Sequence, residues 1–136
     1  MNQIILASHG GLAAGAKDTL EMVLGDVSNV HVVSLARDDK EPITDKVDAM
    51  IATFNADDTV YVLTDMLGSS VNNNMVELSK NGTKFTVVSG FNIPLALTLA
   101  MSPVSVKGAE LLASLRAPFL MSSLAAALST TMMRSA

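Results

Sequence analysis

At 136 residues the chain falls in the usual single-domain range of ~100–200 residues, and its 49% apolar and 16% charged content suits a packed core rather than a disordered polymer. A formal charge of -4, with no run of Lys or Arg, gives no electrostatic basis for binding nucleic acid. The lack of cysteine excludes disulfides, zinc–thiolate sites and thiol chemistry, and with two histidines a transition-metal site would have to lean on carboxylates.

The N-terminal apolar run Ile4-Ile5-Leu6-Ala7 has no basic leader and breaks at Ser8-His9-Gly10, so it does not read as a signal peptide. Spanning a bilayer takes ~20 predominantly apolar residues. Phe119 to Met133 comes nearest and is interrupted by Ser122, Ser123, Ser129, Thr130 and Thr131. A cytoplasmic location is the expectation, with residues 1–136 forming a single domain.

In chain order, Gln3 to Ala7 predicts a short buried strand ending sharply at Gly10-Gly11. Leu12 to Leu24 predicts a helix rich in Ala and Leu, stopped by Gly25. Val30 to Leu35, β-branched, is a second strand, and Asp38-Asp39-Lys40-Glu41-Pro42 a solvated connection. Ile43, Val47, Met50, Ile51 and Phe54 form one apolar helical stripe. Thr59 to Leu63 is a third strand, closing on Thr64-Asp65. Gly68-Ser69-Ser70 leads into a weaker helix over about Val71 to Lys80, burdened by Asn72-Asn73-Asn74. After the Asn81-Gly82 turn, Lys84 to Ser89 is a fourth strand. Ile93-Pro94 opens a helix through about Met101, and Ser102-Pro103 one more, through about Leu115.

Short apolar strands alternating with helices predict an α/β fold, a parallel sheet covered on both faces. Right-handed crossovers favour a doubly wound, flavodoxin-like sheet of order 2-1-3-4. In that order the chain leaves strands 1 and 3 in opposite directions, and ligands bind in the crevice at this switch point.

His9 follows strand 1 and Asp65 follows strand 3, so this topology brings them together. A neutral imidazole that attacks through one nitrogen needs its other N–H held, and a carboxylate does that while stabilising the developing positive charge. The helix starts after His9 and around Gly68-Ser69-Ser70 suit an anion. Each residue also has a plainer reading. A histidine after a strand is often structural, an Asp before a Gly/Ser turn is often a cap, and Ser69 and Ser70 can simply cap the third helix. What sets them apart is their shared location. His31, inside strand 2 and away from the crevice, reads as structural, and the nine methionines as core filler.

Ala7-Ser8-His9-Gly10 precedes an Ala-rich helix containing Glu21-Met22-Val23-Leu24-Gly25. With Thr64-Asp65-Met66-Leu67-Gly68-Ser69-Ser70 and Ser89-Gly90-Phe91-Asn92-Ile93-Pro94-Leu95, this order of motifs resembles the IIA components of the mannose-family sugar phosphotransferase system. The resemblance covers roughly Asn2 to Met101. It implies a phosphoryl carrier in which His9 takes phosphate from the carrier protein HPr and passes it to a IIB component, which serves a membrane permease. Asp65 would hold the His9 ring, and Ser8, Gly10, Gly68, Ser69 and Ser70 would surround the phosphoryl group, with no metal or nucleotide cofactor. The resemblance further implies a homodimer built by exchange of a C-terminal strand, and the apolar tail from Phe119 to Met133 points the same way.

The chain departs from the related motif in two places. Gly68-Ser69-Ser70-Val71 stands where Gly-Gly-Ser-Pro is usual, so Ser69 replaces a glycine. The tail after Arg116 matches poorly, and Ala125-Ala126-Ala127 is weak strand material. Three other readings stay open: the phosphotransfer subunit of a dihydroxyacetone kinase, a regulatory domain, and a flavodoxin-like small-ligand binder. Against the last stand the lack of a G-x-G-x-x-G or Walker loop, no tryptophan and one tyrosine.

Overall fold

The computed structural model describes residues 1–102. In chain order these form β1 (Asn2–His9), α1 (Leu12–Leu24), β2 (Val30–Leu35), α2 (Ile43–Ile51), β3 (Thr59–Thr64), α3 (Ser70–Lys80), β4 (Thr86–Ser89) and α4 (Ile93–Met101). The four strands make one parallel sheet of order β2-β1-β3-β4, the arrangement expected from the sequence. The expected helix from Ser102-Pro103, any fifth strand and the exchanged tail lie outside the described residues.

Alternation along β1 divides the core in two. Ile4 and Leu6 pack with Ala13, Ala16 and Leu20 of α1 and with Leu95, Ala96 and Leu99 of α4. Ile5 and Ala7 face the other way, onto Ile43 and Val47 of α2 and Val71 and Met75 of α3. With both faces covered, β1 and β3 carry continuous apolar stretches at their centres, Ile4 to Ala7 and Val60 to Leu63, as a central parallel strand requires.

The element ends have local causes. Gly25 stops α1 at φ +81° while its N–H closes back on the Glu21 carbonyl. α2 ends at Ile51 rather than running to Phe54, because Thr53 and Phe54 donate to the carbonyls three residues back and tighten into a turn. α3 forms from Ser70 despite its three asparagines, with Val71, Asn72 and Met75 buried. Asn92 caps α4, its side chain accepting from the Leu95 N–H at 2.9 Å, with Pro94 in the first turn. Among the described residues, no helix is long and apolar enough to cross a membrane.

Candidate functional site

The carboxyl ends of β1 and β3 are in register, with Ala7 beside Thr64, so His9, two residues further on, and Asp65, one residue further on, leave neighbouring strand ends and meet there. β1 runs on to His9 itself, which pairs with Leu35 of β2. Odd residues of β1 point to the α2/α3 side, which aims the His9 ring at the loop opening α3.

Asp65 Oδ2 accepts two hydrogen bonds from His9, from its backbone N–H at 3.0 Å and from ring Nδ1 at 2.7 Å. Oδ1 accepts from the Met66 N–H at 2.9 Å and the Ser69 hydroxyl at 2.9 Å. Burial by itself raises the pKa of this carboxyl, whose side chain is 5% exposed. The donors on it, the His9 backbone and ring together with Ser69 and Met66, outweigh burial and hold it down at about 2. Asp65 is therefore a carboxylate, with no proton to give, and the proton in the 2.7 Å contact belongs to Nδ1. In a neutral ring that leaves Nε2 with a free lone pair, which receives the Ser70 hydroxyl at 3.0 Å. The His9 side chain is 47% exposed, so Nε2 is within reach of solvent.

The remaining expected site residues are distributed as follows. Ser8 is buried, and its hydroxyl accepts from the Ala13 N–H at 2.9 Å. It caps α1, whose own cap position is the side-chain-less Gly11, and does not open onto the crevice. Gly10 makes the turn between β1 and α1 at φ +56°, with its N–H given to the Leu35 carbonyl at 3.0 Å. Gly68 makes the corresponding turn before α3, at φ +81°. Ser69 is the N-cap of α3, accepting from the Asn72 N–H at 3.1 Å while donating to Asp65. Asp65 thus bonds within its own turn, to Met66 and Ser69, and also meets the backbone and ring of His9.

Asn72 was not expected here. It is 2% exposed, and its Oδ1 accepts the hydroxyls of Thr64 and Ser89, each at 2.6 Å. The signal in the sequence was its place three residues after Ser69, on the same turn as the apolar Val71 and Met75. His31 sits apart, as expected. Its Nε2 lies 2.8 Å from Gln3 Oε1 and its ring 4.8 Å from that of Phe54, and burial, then the Lys17 charge, pushes its pKa down.

A doubly wound sheet of order β2-β1-β3-β4, with a carboxylate-held histidine at its switch point, makes this a flavodoxin-like α/β protein. The chain belongs to the EIIA-man family, described as the PTS system fructose IIA component, whose model matches residues 3–116. It is thus a IIA-type component of a sugar phosphotransferase system. It is 26% identical over 114 residues to the sorbose-specific EIIA component of Lacticaseibacillus casei, covering 83% of this chain and 82% of that one. It is 27% identical over 100 residues to the mannose-specific EIIAB component of Escherichia coli K12, matching 73% of this chain and 31% of that longer protein. Among solved structures, the PTS IIA protein associated with the fucose utilization operon of Streptococcus pneumoniae superposes with a TM-score of 0.71 at 31% identity, covering 83% of this chain and 87% of the other.

Proposed function

We propose that the chain carries a phosphoryl group on Nε2 of His9, taking it from phospho-HPr and passing it to a IIB component during sugar uptake. The observation that carries this reading is the assignment of the two ring nitrogens. Asp65 occupies Nδ1, which leaves Nε2 as the nucleophile on an accessible ring.

In the transfer step the Nε2 lone pair attacks phosphorus, and a new N–P bond forms as the donor's N–P bond breaks. The bonding pair returns to the donor's imidazole. No proton leaves His9. Its Nδ1–H stays on Asp65, whose negative charge offsets the positive charge the ring gains. The Ser70 hydroxyl, which meets Nε2 at 3.0 Å, turns aside and donates to an incoming phosphoryl oxygen. α1 and α3 begin just after His9 and Gly68 in the chain, and helix starts so close to the ring suit the same anion. Exposed Leu12, Met66 and Leu67 on the flanking segments offer apolar contact to a carrier protein. The reverse attack, by the acceptor on phospho-His9, delivers the group.

A relay component of this kind never has to touch sugar, which fits relatives named for sorbose and for mannose. We further propose a homodimer, drawing on the apolar tail.

Incubation with phosphoenolpyruvate, the general phosphotransferase enzyme and HPr tests the reading. One acid-labile, base-stable phosphate should appear, lost in His9→Ala and retained in His31→Ala. Acid-stable label, or label surviving His9→Ala, would move the site elsewhere. No label with a competent HPr would remove the carrier function.

A further inference from the structure

We propose that Ser69 is a positioning residue for His9: its hydroxyl clamps Oδ1 of Asp65 so that Oδ2 stays on the ring Nδ1–H. The proposal rests on the carrier reading above and assigns Ser69 a role different from contact with the phosphoryl group.

The hydrogen-bond inventory carries it. A hydroxyl has one proton to donate, and Ser69 gives it to Asp65 at 2.9 Å while accepting the Asn72 N–H at 3.1 Å. None is left for a phosphoryl oxygen, in contrast to Ser70, whose hydroxyl points at Nε2. The carboxylate, for its part, has each oxygen engaged twice: Oδ2 by His9 alone, Oδ1 by Met66 and Ser69. Rotation of the carboxylate breaks bonds on both oxygens at once. Without the Ser69 hydroxyl, Oδ1 is held by the Met66 N–H alone, and that side of the carboxylate loses half of its restraint.

Ser69 is itself anchored. Its cap partner Asn72 is buried and receives the hydroxyls of Thr64, the residue before Asp65, and Ser89, at the end of β4. The loop from Asp65 to Ser69 is therefore stapled at its base by Thr64–Asn72 and at its tip by Ser69–Asp65. The orientation of the ring traces back through Asp65, Ser69 and Asn72 to the carboxyl ends of two strands. Glycine in the place of Ser69 offers no such hydroxyl.

Nitrogen-15 NMR of the imidazole distinguishes the Nδ1–H from the Nε2–H tautomer and does not depend on activity. Wild type should show His9 as the Nδ1–H form. Ser69→Ala should populate both tautomers and slow transfer from phospho-HPr about tenfold, while Ser69→Thr, which keeps the hydroxyl, should restore both. A merely structural cap would lower the melting temperature and leave the tautomer alone. Ser69→Ala with an unchanged Nδ1–H spectrum overturns the proposal. If wild type accepts no phosphate, the carrier reading fails, and the tautomer comparison still decides the role of Ser69.

Discussion

Asp65 holds His9 twice through one oxygen, gripping the backbone N–H at 3.0 Å and the ring Nδ1 at 2.7 Å. The first contact fixes where the residue sits at the end of β1, and the second fixes how its ring is turned and which nitrogen carries the proton. Position and tautomer are thus set by a single group.

Replacing that group tests the coupling. Asp65→Asn should leave the fold intact, since the amide oxygen can still accept, but should slow phosphoryl transfer by more than about tenfold, or ~1.4 kcal/mol in the barrier. The amide has no full negative charge to offset the imidazolium. Transfer at the wild-type rate would reduce Asp65 to a turn residue.

The same carboxylate makes stability depend on acid. Its pKa is depressed to about 2 in the folded state, from an ordinary value of 3.8. Its contribution is therefore fully present above about pH 4 and is lost as pH falls towards 2. A shift of that size corresponds to roughly 2 kcal/mol. Urea titrations at pH 6 and pH 3 should show a larger loss for wild type than for Asp65→Asn. Parallel losses would mean that the four donors do not stabilise the ionised form.

His31 should titrate below its ordinary value of 6.5, because burial disfavours the charged ring and Lys17 adds to the effect. Proton NMR of the ring across pH 4 to 8 would show it, and a midpoint at or above 6.5 would contradict the half-buried placement against Gln3 and Phe54.

Asn72→Ala should be costly for a polar residue in a first helical turn. It removes the short acceptor of the Thr64 and Ser89 hydroxyls, leaving buried Thr64 only the long 3.5 Å contact to the Val88 carbonyl, and each poorly satisfied donor costs ~1–3 kcal/mol. Chemical denaturation should register a loss of at least about 2 kcal/mol. A smaller loss would show that the hydroxyls find other partners.

Much of this was legible from the residues. Gly11 and Gly25 bracket α1, and Leu12–Leu24 is a helix as expected. The strand order followed from alternation, and the meeting of His9 with Asp65 followed from the order. The direction of individual polar groups was not legible. Ser8 follows Ala7 and precedes His9, yet strand alternation turns its hydroxyl under α1 rather than into the crevice. Ser69 and Ser70 are adjacent and chemically alike, but one caps the helix and the other meets Nε2. β4 begins at Thr86 rather than Lys84, because its register with β3 starts where Tyr61 pairs with Thr86. A motif places residues on a loop, whereas the neighbour that claims each hydrogen bond comes from elsewhere in the chain.

The placement of β1 bears on how the molecule is assembled. This strand is made before either of its partners, yet it lies in the middle of the sheet, with β2 on one side and β3 on the other. As a ribosome delivers the chain at ~5–20 residues per second, β2 can cover one flank of β1 soon after it emerges. The other flank stays an open apolar edge until Thr59 to Thr64 has appeared, with the whole of α2 in between. His9 waits just as long for its carboxylate. The site is complete only when the non-local half of the sheet closes, so conditions that delay β3 docking should yield chains that are both aggregation-prone and inactive.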